Sequence, residues 1–252
     1  MDKRSSLYHH CQSKLRRSPL FARLPETVLD NMLREFRFET WRKGTRRTPG
    51  LLARQFYLVL EGRVEITRSA PDTGRSITLF LLGPGDGFDI VTLLDDQPHD
   101  AEPLALDDLE LLTAPIPAVR TWIERHPEFN REFLPYVGER LRSMESLASD
   151  LALHDTATRL ARLILHHTQP PVPGSNGDDP APVRLISGLT HESLARMVGA
   201  ARQVVNRHLQ ELRRAGILHG ERNHWVVRDL EALRAHAGVI LERLQHHRTR
   251  RT

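Results

Sequence analysis

Apolar and polar residues alternate through Phe56–Ile66, FYLVLEGRVEI, around a central Glu61-Gly62, which predicts a strand, a bend and a second strand. Asp72-Thr73-Gly74 is a turn signal, and Ser76–Leu82, SITLFLL, predicts a further strand. Gly83-Pro84-Gly85-Asp86-Gly87 predicts a tight corner, and Leu109–Thr113 with Ala114–Pro117 a late strand. Strands at a spacing of roughly 8–12 residues with glycine corners predict a β-roll of jelly-roll type. A helix over Pro25–Phe36 precedes them.

The period then changes from two to that of a helix. A long helical region is expected over Ala118–Leu153, in which Phe133, Val137, Leu141, Met144, Ala148 and Leu151 follow one another in steps of 4, 4, 3, 4 and 3. That spacing is a coiled-coil-like seam and predicts a self-dimerising helix rather than one packed only on its own β-domain. Pro127 suits a first helical position, whereas Pro135 should kink or restart the helix. Thr156–His167 predicts another amphipathic helix. Gln169–Val183, QPPVPGSNGDDPAPV, predicts a loop.

Two short helices follow. Thr190 can cap the first, in which Leu194, Met197 and Val198 recur at helical spacing, and Gly199 ends it. The second places Val205, Leu209 and Leu212 on one face and Arg202, Gln203, Asn206 and Arg207 on the other. Ile217-Leu218, a polar tip at His219–His224 and Trp225–Val227 predict a two-stranded wing. This is a winged helix-turn-helix, whose second helix enters a major groove of double-stranded DNA. Arg suits guanine O6/N7, and Gln or Asn suits adenine N6/N7. Thr190, His191, Arg222 and His224 are the candidates for positioning contacts to the backbone.

Charge supports the assignment. Residues 184–252 carry 13 Arg against 6 acidic residues, a formal +7, within a chain of 252 residues and net +4. Basicity is concentrated where a polyanion would dock, and Arg248, Arg250 and Arg251 extend it into the tail. The single Cys11 excludes an internal disulfide framework, a Cys-rich zinc site and an all-Cys iron–sulfur cluster within one chain. No long apolar run predicts a membrane span, and MDKRSSLYHHCQSKLRRSPLF lacks the apolar core of a signal peptide, so a cytoplasmic protein is expected. A metal-dependent cupin-type enzyme would need His on adjoining strands, and 56–66, 76–82 and 109–117 have none. A β-roll module that only binds a ligand is disfavoured by the intact DNA-reading segment. No Gly-rich phosphate loop or catalytic triad signature stands out, so an enzyme is not expected.

On these stretches the chain resembles the Crp/Fnr family of bacterial transcription regulators. The resemblance covers about residues 20–230 and rests on FYLVLEGRVEI, the Gly85-Asp86 corner, and the helix from Pro127 to His154-Asp155 leading into ATRLARLIL. It rests further on LTHESLARMVGAARQVVNRHLQELRRAGIL and on VVRDLEAL. It implies an α+β fold with four parts. These are a cyclic-nucleotide-binding-like β-roll at 20–125, a dimerisation helix at 126–154, a winged helix-turn-helix at 155–232, and a basic helix and tail at 233–252. It also implies a homodimer on a palindromic operator, using Val137, Leu141, Met144, Ala148 and Leu151, and RNA polymerase as a partner if the protein is an activator.

The departures bear on the signal. Cyclic-AMP-responsive members follow the corner with a Gly-Glu pair, whose Glu binds ribose, and an Arg-Ser pair that clamps the cyclic phosphate. Here Asp89-Ile90 and Asp100-Ala101 stand in those places, and Met144-Glu145 replaces the Thr-Ser pair that reads adenine. A carboxylate facing a phosphate repels where a bidentate guanidinium would attract. The resemblance therefore places an effector region at Gly85, Asp86, Phe88, Asp89, Asp100, Ala101, Met144 and Glu145 that is not built for cyclic AMP. An unidentified small molecule, or none, is expected. Haem-binding relatives suggest an alternative, gas or redox sensing, for which His9, His10, Cys11, His99 or His126 could offer an axial ligand. The family's recognition helix presents Arg, Glu and Arg. Arg202 and Arg207 match, Gln203 replaces the Glu, and Asn206 replaces the Ser found before the last Arg in some members.

Overall fold

The computed structural model describes residues 3–47, 54–97, 100–168, 181–183, 186–220 and 224–238. Two units divide the chain, 1–146 and 147–252, and the division falls inside one long helix rather than at either end of it.

The first unit opens with α1 (Ser6–Leu15), a helix not expected from the sequence. Ser5 caps it by accepting the Tyr8 amide at 3.1 Å, and Tyr8, Cys11 and Leu15 are buried. These three residues join the core of the first unit. Helix α2 (Glu26–Glu35) lies within the predicted span and buries Leu29, Met32 and Leu33. Strands β1 (Arg37–Trp41), β2 (Gln55–Glu61), β5 (Gly87–Phe88) and β7 (Leu109–Pro115) form an antiparallel sheet in the order β1-β7-β2-β5. Strands β3 (Val64–Ser69), β4 (Ser76–Leu82) and β6 (Glu102–Ala105) form a second, in the order β4-β3-β6. Gly62, at φ 82, makes the bend between β2 and β3. A Cβ there would lie 2.5 Å from the Asp108 carbonyl oxygen, so this turn requires glycine.

The larger sheet is covered on both faces. Phe56, Leu58, Leu60, Leu112 and Ala114 join a core with the helices, while Trp41, Tyr57, Val59, Phe88, Leu109 and Leu111 meet Val64, Ile66, Leu82 and Ala105 of the smaller sheet. Phe56–Leu60 is consequently buried without interruption, as expected for a strand packed on two sides.

After β5 comes a short helix, α3 (Ile90–Asp95), flanked by Asp89 and Asp96 in left-handed conformations at φ 66 and φ 62. The helical region expected over 118–153 is made of two helices. Helix α4 (Ile116–Arg125) takes the last residues assigned to the late strand, His126 leaves helical geometry, and Pro127 starts α5 (Pro127–Leu153). Helix α5 runs through Pro135 without a restart. Phe129 and Phe133 are buried and stacked with ring centroids 5.4 Å apart, so Phe133 belongs to the unit's own core and not to an intermolecular seam.

In the second unit Asp155 caps α6 (Thr156–His166) by accepting the Thr158 amide at 2.8 Å. Helices α7 (His191–Met197), α8 (Arg202–Arg214) and α9 (Leu230–His236) follow. The predicted loop at 169–183 contains a strand, β8 (Ala181–Pro182), which pairs with β10 (Val226–Val227). With β9 (Leu218–His219) the wing is three-stranded, in the order β8-β10-β9, and not two-stranded.

Candidate nucleic-acid interface and effector region

The turn into α7 is set by Thr190, whose Oγ1 accepts the Ser193 amide at 3.1 Å. Arg196 Nη2 donates to Ser193 Oγ at 3.2 Å, tying the helix's last turn to its first. Leu194, Met197 and Val198 are buried, and Gly199 at φ 61 makes the left-handed step out of the helix. Helix α8 then buries Val205, Leu209 and Leu212 and leaves Arg202, Gln203, Asn206 and Arg207 exposed, as the pattern requires. Its far end carries a charged chain missed from sequence. Glu211 lies 3.9 Å from Arg207 Nε through one oxygen and 2.7 Å from His208 Nδ1 through the other.

The wing folds back onto the turn before α7. His224 Nδ1 lies 3.3 Å from Ser187 Oγ, and its ring sits against Gly188 at φ 79. Gly220 at φ 132 permits the crossing, since a Cβ there would lie 2.0 Å from the His224 carbonyl oxygen. Trp225 and Val227 are buried beneath. The structure thus brings His224 to the residues just ahead of exposed Thr190 and half-buried His191. Arg222 and the tail with Arg248, Arg250 and Arg251 lie outside the described residues.

The eight residues assigned to an effector region fall in three stretches of the chain, 85–89, 100–101 and 144–145. Gly85, at φ 96, and Asp86 form the corner, where Asp86 Oδ2 accepts the Gly83 amide at 3.0 Å. Burial raises the Asp86 carboxyl above its ordinary range, against the lowering by the Gly83 amide and by Arg140. Phe88 stacks on Tyr57 with centroids 4.7 Å apart, and Trp41 meets both rings edge-on, so aromatic side chains pack the space between the two sheets. Burial, and then the nearby Glu39, pushes Tyr57 up to about 12. Asp89 is buried at the start of α3. Asp100 is exposed and pairs with Arg68 at 3.4 Å, whereas its neighbour Ala101 is buried in the inter-sheet core. Neither presents a phosphate clamp. Met144 is half-buried and Glu145 exposed on α5, and Pro98 and His99 lie outside the described residues.

Of the candidate haem ligands, His9, His10 and Cys11 make contacts within the first unit, and His99 lies outside the described residues. Cys11 is fully buried, with its thiol pushed up to about 11 by burial and by Glu110. His10 Nε2 lies 2.8 Å from Glu110, and His9 packs edge-on against Tyr8. His126 is half-buried at the break between α4 and α5. Among the described residues there is no group of three or more His, Cys, Asp or Glu that could hold a metal ion, and no helix long and apolar enough to cross a membrane.

Comparison with known proteins places both halves. Residues 158–236 match the Crp-like helix-turn-helix domain, and residues 48–126 match the cyclic nucleotide-binding domain. The chain is 29% identical over 179 residues to a CRP-like cAMP-activated global transcriptional regulator of Mycobacterium tuberculosis, covering 71% of this chain and 78% of that one. It is 29% identical over 173 residues to the global nitrogen regulator of Synechocystis sp., covering 68% and 74%. A CooA mutant from Carboxydothermus hydrogenoformans superimposes with a TM-score of 0.67 at 25% identity, covering 82% of this chain and 90% of that one.

Proposed function

Because the chain belongs to the Crp/Fnr family of DNA-binding transcription regulators, we propose that it acts as a homodimer on a two-fold-symmetric operator, under a signal other than cyclic AMP. The observation that carries this reading is α8, whose four exposed polar side chains lie opposite a fully apolar buried face on a capped helix-turn-helix with a wing. Arg202 and Arg207 supply forks for guanine, and Gln203 supplies the donor and acceptor that suit adenine. Thr190, His191, His224 and Arg222 supply contacts that set the helix on the backbone.

Pairing is assigned to α5. With Phe133 removed to the core, the seam begins one residue later, at Leu134, and runs through Val137, itself packed against that core, and then Leu141, Met144, Ala148 and Leu151, in steps of 3, 4, 3, 4 and 3. Leu134 is 65% exposed and Leu141 61%, a pair one heptad apart that a second copy of the helix would cover. Against cyclic AMP stand the outward Asp100, the core-bound Ala101 and the aromatic filling between the sheets. No haem or other cofactor is assigned, and activation through RNA polymerase is one mode open to a regulator of this type.

A mobility-shift titration of the purified protein on duplex DNA tests the reading. Affinity should fall steeply with salt, with a log–log slope of about −0.9 for each phosphate neutralised. A salt-insensitive affinity would leave the basic C-terminal half without a nucleic-acid role. Calorimetry with cyclic AMP should give no heat of binding, and micromolar binding would overturn that part of the proposal.

A further inference from the structure

Helix α5 has two jobs that ask for different faces. Phe129, Phe133 and Tyr136 are buried in its own unit, while Leu134 and Leu141 are exposed. At about 100° per residue the centre of the buried face and the centre of the Leu134–Leu151 seam lie only about 80° apart around the helix. A modest rotation of the helix would therefore draw seam residues into the core or carry core residues out. Pro135 sits where such a rotation is cheapest, because it cannot donate to the carbonyl four residues back.

The residue immediately after Pro135 is bound to the sensor's corner. Tyr136, 3% exposed, accepts the Gly87 amide on its hydroxyl at 2.9 Å. The same hydroxyl has the Gly87 carbonyl at 3.1 Å and Asp86 Oδ1 at 3.3 Å as acceptors. One turn on, Arg140 lies over the Tyr136 ring at 4.9 Å and reaches 3.8 Å from Asp86. Gly87 cannot retreat, since a Cβ there would lie 2.6 Å from the Phe56 ring. These contacts join the β4–β5 corner, which belongs to the assigned effector region, to the helix that carries the assigned seam.

We propose that Tyr136 and Arg140 are positioning residues: by gripping Asp86 and Gly87 they hold the rotation of α5 beyond Pro135, and so set which face is offered to a second copy of the chain. The proposal rests on the reading of α5 as the pairing helix. Burial of Asp86 makes the arrangement demanding, because losing the Tyr136 hydroxyl strands a buried amide and removes one partner of a buried carboxyl.

The test compares three full-length proteins: wild type, Tyr136→Phe and Leu141→Lys, with Arg140→Gln as a second probe that leaves the buried Tyr136 in place. Sedimentation velocity gives the dimer constant, and amide hydrogen exchange reports residues 127–133 and 137–146 separately. Tyr136→Phe and Arg140→Gln should each weaken dimerisation about tenfold and speed exchange in 137–146 while 127–133 stays protected. If Leu141→Lys is monomeric but both other variants dimerise within about twofold of wild type, the grip is not a positioning device and the proposal is overturned. If Leu141→Lys remains dimeric, the seam reading fails and exchange alone decides: unchanged protection of 137–146 overturns the grip, and selective loss there supports it. Loss of protection throughout 127–146 would mean that Tyr136 merely stabilises the sensor, which also overturns it.

Discussion

Single side chains with a strong local preference are the most legible part of this protein. Thr190 was readable as a cap because a hydroxyl before an apolar-periodic run has one obvious use, and its Oγ1 does accept the Ser193 amide. Thr190→Ala should lower the stability of the DNA-reading unit by about 1 kcal/mol, measured by chemical denaturation. Gln203 and Asn206 were readable as exposed because their neighbours at helical spacing are Val205 and Leu209. Gln203 stands where the family carries Glu, which accepts from cytosine N4. Its base pair should therefore prefer A·T, and Gln203→Glu should shift that preference to G·C by roughly 1–3 kcal/mol in competitive binding to the two duplexes. Equal discrimination by both proteins would remove Gln203 from the readout. Tyr136 was not legible at all. Nothing in a sequence window places a tyrosine hydroxyl on an amide 49 residues away.

Elements were legible in proportion to their length and the clarity of their period. Ser76–Leu82 matches its predicted strand end to end, and α2 and α6 fall within a residue of theirs. Two-residue strands such as β5 and β8 carry no period, so they emerge only from their partners, Tyr57–Leu58 and Val226–Val227. Helix α1 escaped although Tyr8, Cys11 and Leu15 recur in steps of 3 and 4, because polar residues dominate the rest of its short length and tertiary packing holds it. Of the residues expected to form a seam on α5, Phe133 alone is reassigned to the core. Phe133 and Leu134 are adjacent apolar residues, and only the stacking of Phe133 on Phe129 decides which of them faces the core. On the proposed pairing, Leu141→Lys with Leu151→Lys should give monomers by analytical ultracentrifugation, with operator affinity reduced at least tenfold. A dimer of unchanged mass would place the interface elsewhere.

At the scale of the whole molecule, charge separates the two functions. The C-terminal 184–252 is formally +7 while the remainder is −3, so the basic charge is concentrated in the part of the chain that holds the helix-turn-helix. The second unit, 147–252, contains a half-buried titratable group held in its neutral form. Burial, then the neighbouring His166, lowers His167 from its ordinary 6.5 to about 4. Between those values the unfolded chain takes up a proton that the folded unit refuses. Its stability should therefore be full above pH 6.5, fall as the pH drops towards 4, and level off below. Melting temperature should fall by a few degrees between pH 7 and pH 5, at about 2–4 °C per kcal/mol for a chain of this size, and less in His167→Gln. An identical pH dependence in the two proteins would assign the loss to other groups. The central claim, a symmetric dimer reading each half-site with α8, is tested most directly by selecting bound sequences from a randomised duplex pool with the full-length protein. The account predicts an inverted repeat with a guanine in each half-site, its half-sites about one helical turn apart, or roughly 10 base pairs centre to centre. Enrichment of a single unpaired half-site, or no enrichment over nonspecific binding, would contradict it.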